Sequence, residues 1–322
     1  MSFVGYHASH EQLSPSALLS AVVAAEKAGF GAAMCSDHLA PWSERQGQSG
    51  HAWSWLGAAL QATSLSIGVV TAPVQRYHPA VSAQAIATLA EMFPGRFWAA
   101  LGSGEAVNEH VTGEQWPDKA TRDARLLESV DVIRSLLEGR EVTHRGHVTV
   151  DRARVWSLPE EPPDLIGAAV SARTAEVVGG WADGLITVNQ PVDVLDDVLR
   201  AFRSGGGEHK PAYLQLHVSW HQDEQEALRI AHDQWRTNVF GPTLSWDLET
   251  PAQFDAAAAH VRPEDIRDAV LVSSDLGEHI EWLRRYLEMG FERVYVHHVG
   301  VAQRDFIATF GQHVLPEFEQ AV

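Results

Sequence analysis

This 322-residue sequence is most informative first in what it lacks. It has a single cysteine, Cys35, so no intramolecular disulfide or cysteine-rich zinc site can form, which excludes a disulfide-stapled scaffold. Basic residues are scarce. Lys+Arg number 24 against 42 Asp+Glu, a formal net charge of −18. Without a basic block, nucleic acid is excluded as a partner, because its binders neutralise phosphates with Lys and Arg. Long apolar runs are missing too: the longest, such as Ala83–Ala90, fall well short of the roughly 20 residues a membrane-spanning helix needs. Residues 1–12 lack the basic start and apolar core of a signal peptide. These absences lead to the expectation of a cytoplasmic globular protein that touches neither nucleic acid nor membrane. Nor does a Ser/Gly/Pro-rich linker split the chain, since Ser204–Lys210 is short enough to be a helix-to-strand turn. The length suits one large α/β barrel, so residues 1–322 are read as a single domain.

What is present is an alternation. Strand-length apolar runs at Val4–His7, Ala32–Ser36, Leu65–Thr71, Phe97–Leu101, Leu165–Ala169, Gly184–Val188, Leu214–Val218, Ala269–Val272 and Arg293–His298 are mostly separated by helical patterns. In Ser14–Ala28, for example, Leu18, Leu19, Val22, Val23 and Ala25 recur at helical spacing, with Ser14 as N-cap and Gly29 as stop. Strand–helix alternation predicts parallel strands, because each parallel pair needs a crossover that a helix usually supplies. Two stretches interrupt the pattern. Glu141–Val155 alternates polar and apolar residues around Arg145–Gly146, a β-hairpin signature. Trp235–Ala259 is aromatic, proline-interrupted and partly helical. In a barrel, long segments on the C-terminal side of strands are expected to build the pocket.

In such a barrel the chemistry lies where strands end. Four successive ends carry His7–Gln12, Ser36–Trp42, Thr71–Pro79 and Gly102–Glu109. His38 is the leading proton handler, because imidazole titrates nearest neutral pH. Asp37 beside it could orient a ring, but adjacent residues on an extended strand face opposite ways and need a turn to converge. Glu105 follows Gly102-Ser103-Gly104, where a buried carboxyl could carry a raised pKa and act as an acid. Trp42 is the tryptophan placed on a ligand. Small residues at Ala168–Ser171 precede the helix Ala172–Trp181, which suits either phosphate binding or simple capping by Ser171. No Gly-x-Gly-x-x-Gly is completed after Gly102, and no Gly-x-Ser-x-Gly elbow occurs. His297-His298 and His7/His10 lack a carboxylate at a familiar ligand spacing, so no metal is expected. Cys35 is read as a packed thiol.

The motifs Gly5–Gln12, Ser36-Asp37-His38 with Pro41-Trp42, Arg76–Val81 and Gly102–Glu109 resemble the luciferase-like oxidoreductases, and most closely their F420-dependent glucose-6-phosphate dehydrogenase branch. The resemblance runs over nearly the whole chain. It implies a (β/α)8 TIM barrel with insertions near 141–155 and 235–260, often dimeric, and hydride transfer between a small-molecule substrate and FMN or coenzyme F420. By the same resemblance, the catalytic residues are His38, Glu105, Trp42 and Glu11. The cofactor residues are Asp37 and Asn108 at the ring, Ala169, Val170 and Ser171 near the phosphate, and Val69-Val70, whose peptide would be a cis backrest. Two departures narrow the expectation. The phosphate loop reads Val170-Ser171 instead of Gly-Gly, which tilts the cofactor toward FMN. The lysines that hold a sugar phosphate are missing near Gln190-Pro191 and Ala256–Ala258, and no lysine lies between Lys119 and Lys210 or beyond. A phosphate dianion wants clustered cations, so the substrate is expected to be non-phosphorylated. A two-component FMN-dependent monooxygenase and a non-catalytic cofactor-binding barrel are the alternative expectations.

Overall fold

The computed structural model describes residues 3–318. Eight parallel strands close on themselves: β1 (Phe3–Ala8), β2 (Ala32–Ser36), β3 (Ser66–Thr71), β4 (Phe97–Leu101), β7 (Leu165–Ala168), β8 (Gly184–Val188), β9 (Ala212–Ser219) and β11 (Arg293–His298). Pairing runs β9-β11-β1-β2-β3-β4-β7-β8, and a β8–β9 pairing completes the ring. Helices cross between successive strands, so the architecture is the expected (β/α)8 barrel. The remaining strands lie outside it. The antiparallel pair β5 (Val142–Arg145) and β6 (Thr149–Ala153) forms the predicted hairpin. The short β10 (Leu271–Val272) joins β9 alone. The apolar pattern at 269–272 therefore marks a short strand appended outside the ring, preceded by the 3-10 helix Pro263–Asp268.

Period-two alternation divides the core into two layers. Outward residues such as Cys35, Val69, Ala99 and Leu165 pack under the helices. Inward residues Met34, Trp98, Ile166, Ile186, Tyr213 and Tyr295 fill the lower barrel. Trp98 lies 5.4 Å from Tyr213 and 5.7 Å from Tyr295, ring centre to ring centre. Gly68 makes this plug possible: a Cβ there would fall 1.9 Å from the Trp98 ring. The lower barrel is thus filled by aromatic rings, and a ligand cavity lies above them, over the C-terminal ends of the strands.

Local signals explain the helix ends. Pro15–Lys27 stops at Gly29, whose φ of 100° is the left-handed conformation that glycine tolerates. Ser14 stands at its N-cap position, yet its hydroxyl makes no capping bond. Ala172–Trp181 is capped by Ser171, whose side chain accepts from the Thr174 amide. The hairpin packs on the helix Lys119–Leu137, with His144 Nε2 2.8 Å from Glu128. It contributes nothing to the pocket, contrary to the sequence expectation, because it follows a helix and not a strand end. The 235–260 insertion, which comes after β9 and its helix, does reach the pocket.

Candidate active site

A cavity of about 560 Å³ opens over the C-terminal ends of the strands. All four sequence-predicted catalytic residues line it: Glu11, His38, Trp42 and Glu105. So do Asp37, Val70, Asn108, Ala169 and Val170.

Two predicted cofactor residues fall elsewhere. Val69 is fully buried in the outward layer against the helices, because the pleat turns it away from the barrel axis. Ser171 is spent on its helix cap. The expected cis peptide is also corrected. Every peptide bond among the described residues is trans, and Val69 and Val70 pair in unbroken register with Cys35 and Ser36 on one side and Ala99 and Ala100 on the other.

The centre of the site is a line of three ionisable groups. His38 Nδ1 lies 2.8 Å from Glu11 Oε1, and His38 Nε2 lies 3.8 Å from Glu105 Oε2. Glu11 is buried and accepts from the hydroxyls of Ser9 and Ser36, each at 2.6 Å. The His38 and Trp42 rings stand edge-to-face with centres 4.9 Å apart, and Phe254 backs Trp42 with ring centres 5.2 Å apart.

These neighbours drive the two carboxyls apart. Burial pushes Glu11 upward, but the charge of His38 and the hydrogen bonds from His38, Ser36 and Ser9 prevail and hold it well below the usual range. Glu105 is raised, chiefly by burial, against the opposing pull of His38. Burial works to lower His38 as well, but the Glu11 charge and hydrogen bond, helped by Glu105, leave it raised. A fixed anion, an imidazole and a protonatable acid therefore stand in a row, an arrangement suited to moving one proton at the pocket wall.

Asp37 and His38 diverge. The Asp37 carboxylate accepts from Thr71 at 2.8 Å and from Trp53 and Tyr77 at 3.2 Å, and pairs with Arg76 at 3.4 Å. Asn108 accepts the Leu39 amide at 2.8 Å and so ties the His38 loop to the helix Ala106–Glu109.

Sequence reasoning did not bring together a group of histidines from β1, β9 and β11. His7 (β1), His217 (β9) and His297 (β11) converge, with ring centres 4.5 Å apart for His7–His297 and 5.3 Å for His217–His297. Burial pushes His7 down to about 4 and His217 to about 3, so these rings are neutral near pH 7. Trp235 closes over His217 and His297 at 4.9 and 4.7 Å. The available signal was the placement of each histidine near the end of an inward-facing strand.

Comparison with known proteins agrees with this geometry. The family described as luciferase-like monooxygenase matches residues 1–293. The F420-dependent glucose-6-phosphate dehydrogenase of Nakamurella multipartita is 36% identical, covering 99% of this chain and 97% of its own. The enzyme of the same name from Microbacterium testaceum is 34% identical over 98% of this chain and 97% of its own. Among solved structures, an F420-dependent secondary alcohol dehydrogenase in complex with an F420-acetone adduct superposes with a TM-score of 0.91 at 29% identity, covering 99% of both chains. Among the described residues no helix is long and apolar enough to cross a membrane. With the family pattern matched along most of its length and its relatives aligned nearly end to end, this chain belongs to the luciferase-like family of oxidoreductases.

Proposed function

We propose that the protein transfers hydride between coenzyme F420 and a small, uncharged alcohol or ketone. The observation that carries this reading is the Glu11–His38–Glu105 line opening onto a pocket almost without cations. Among the described residues, Lys119 is the only lysine or arginine that lines it, and it is already paired with Asp123. A sugar phosphate would find no cluster of positive charge there. The relatives named as glucose-6-phosphate dehydrogenases support the cofactor, while the pocket supports a different substrate, closer to that of the secondary alcohol dehydrogenase. F420 is preferred over FMN because these relatives carry it in their names. The altered phosphate loop is compatible with it, since Ser171 is engaged in capping.

The pocket residues fit a ligand rich in hydrogen-bonding groups. His7 Nδ1, Thr187 Oγ1 and Gln190 Nε2 belong to lining residues, are buried, and have no protein partner. Val70, Asn108, Ala168, Ala169 and Val170 would hold the cofactor. When bound, the deazaflavin supplies a two-electron hydride acceptor or donor. In alcohol oxidation, His38 Nε2 takes the hydroxyl proton as the carbinol hydride leaves. Glu11, 2.8 Å from Nδ1, favours the tautomer that leaves Nε2 free and stabilises the imidazolium that forms. Glu105, on the other side of Nε2, receives or returns the proton, and Trp42 packs the substrate against the imidazole. We further read residues 1–322 as one domain that works as a cytoplasmic homodimer, for which sedimentation should give twice the chain mass.

The test is a binding and turnover panel. Oxidised F420 should bind while FMN does not, and isopropanol should bleach the deazaflavin absorbance in the mixture. Retention of FMN alone would overturn the cofactor, and a higher kcat/KM for glucose 6-phosphate than for neutral alcohols would overturn the substrate class.

A further inference from the structure

Arg76 of Arg76-Tyr77-His78-Pro79 and Glu109 at the end of Gly102–Glu109 both belong to the strand-end motifs, but neither stands in the proton-handling line. In the fold they face each other directly behind it. The Arg76 side chain is 10% exposed, and that of Glu109 is completely enclosed.

Arg76 grips both halves of the site. On one side its guanidinium donates to the main-chain carbonyl of Asp37 at 2.7 Å and pairs with the Asp37 carboxylate at 3.4 Å. It also lies over the Tyr77 ring, 4.4 Å from the centroid, and the Tyr77 hydroxyl donates to the same carboxylate at 3.2 Å. On the other side the Arg76 amide donates to Glu109 Oε2 at 2.5 Å, and its Nε stands 3.8 Å from Glu109 Oε1. The Asp37 carbonyl is the peptide oxygen immediately before His38. Glu109 is the last residue of the helix Ala106–Glu109, whose N-cap is Glu105. One cation thus joins the segment that carries His38 to the segment that carries Glu105, yet it touches neither and does not line the pocket.

We infer that Arg76 is a positioning residue, whose clamp on Asp37 and Glu109 sets the placement of His38 against Glu105. This rests on the proton role proposed for those two residues. The electrostatics run the same way. The groups around His38 are Glu11 after β1, Glu105 after β4, Arg76 after β3, and His7 and His10 on the β1 side. Arg76 is the cation that opposes protonation of His38. Its loss removes that opposing charge and so favours the protonated ring.

The experiment follows the His38 titration by NMR in histidine-labelled protein, with the resonance assigned by its loss in His38→Gln. In Arg76→Met the midpoint should move up, and in Arg76→Lys it should return toward that of the unaltered protein. With F420 and isopropanol, Arg76→Met should lose about tenfold in kcat while its F420 Kd stays within about threefold, as expected when geometry and not affinity is disturbed. Because a lone Met would bury Asp37 and Glu109 without a counter-charge, Arg76→Met/Glu109→Gln serves as a second variant and should shift the midpoint in the same direction. A folded Arg76→Met or double variant with an unchanged His38 midpoint and unchanged kcat overturns the inference. Failure of the unaltered protein to oxidise isopropanol would instead overturn the proposed reaction, and the titration would still decide the role of Arg76.

Discussion

The two walls of the pocket differ in kind. Strand ends β1 to β4 and the segments that follow them contribute His7, Glu11, Asp37, His38, Glu105, Glu109 and Lys119, most of the ionisable lining. Strand ends β7 to β9 and the 235–260 insertion contribute Thr187, Asn189, Gln190, Gln215, Trp235 and Trp246, with Asp268 the one carboxylate described there and His217 held neutral by burial. The difference separates two kinds of work. Proton movement needs groups whose charge can change, and these stand on one side, tuned against each other. Ligand selection needs shape and neutral hydrogen bonds, and these stand on the other, where a fixed charge would be costly to bury unpaired.

The largest effect should come from the charged wall. His38→Ala should reduce kcat by about 10²–10⁴-fold, the usual contribution of a positioned acid or base, with F420 affinity nearly unchanged in a fluorescence titration. Equal turnover would remove His38 from the chemistry. Glu105→Gln should cost less, about a hundredfold, and should carry a pH signature. The Glu105 charge helps to raise His38, so its removal moves the rising limb of alcohol oxidation to lower pH. A limb that stays in place would uncouple the two groups.

The neutral wall should respond through specificity. Gln190→Lys places a cation where an amide nitrogen has no partner, and should improve kcat/KM for glucose 6-phosphate by about tenfold, equivalent to roughly 1.4 kcal/mol. No gain would locate the selection against phosphate elsewhere. The smallest effect is expected at Ser171. Ser171→Ala should cost about 1 kcal/mol of stability through the lost cap, read as a lower Tm, and leave F420 affinity within about threefold. A loss of affinity well beyond that would restore Ser171 to the cofactor site.

The charged wall is largely legible in the sequence and the neutral wall is not. Val4–His7, Ala32–Ser36 and Phe97–Leu101 announce themselves as short apolar runs, and the polar residues after them fall at predictable strand ends. Gly184–Val188 and Arg293–His298 are equally clear. Their closure into a ring brings His7 beside the far-distant His297, and no local pattern encodes that contact. The Arg76–Glu109 pair, 33 positions apart, is hidden for the same reason, although both residues lie within the strand-end motifs. Val69 and Val70, expected together at the cofactor, are divided by the pleat: the Val70 side chain lines the pocket and the Val69 side chain packs in the core. Asp37 and His38 follow the alternation argument: both border the pocket, but the Asp37 carboxylate is held by Thr71, Trp53 and Tyr77 while His38 stands between Glu11 and Glu105.

The central claim is that His38 Nε2 accepts the substrate proton while Glu11 holds the ring. The direct measurement is the pH dependence of single-turnover F420 reduction by isopropanol. Oxidation requires a neutral Nε2, and the pKa of His38 is raised, so the rate should climb with pH through a midpoint above the ordinary histidine value of about 6.5. That limb should vanish in His38→Gln. A midpoint below about 6.5, or the same limb persisting in His38→Gln, would contradict the account.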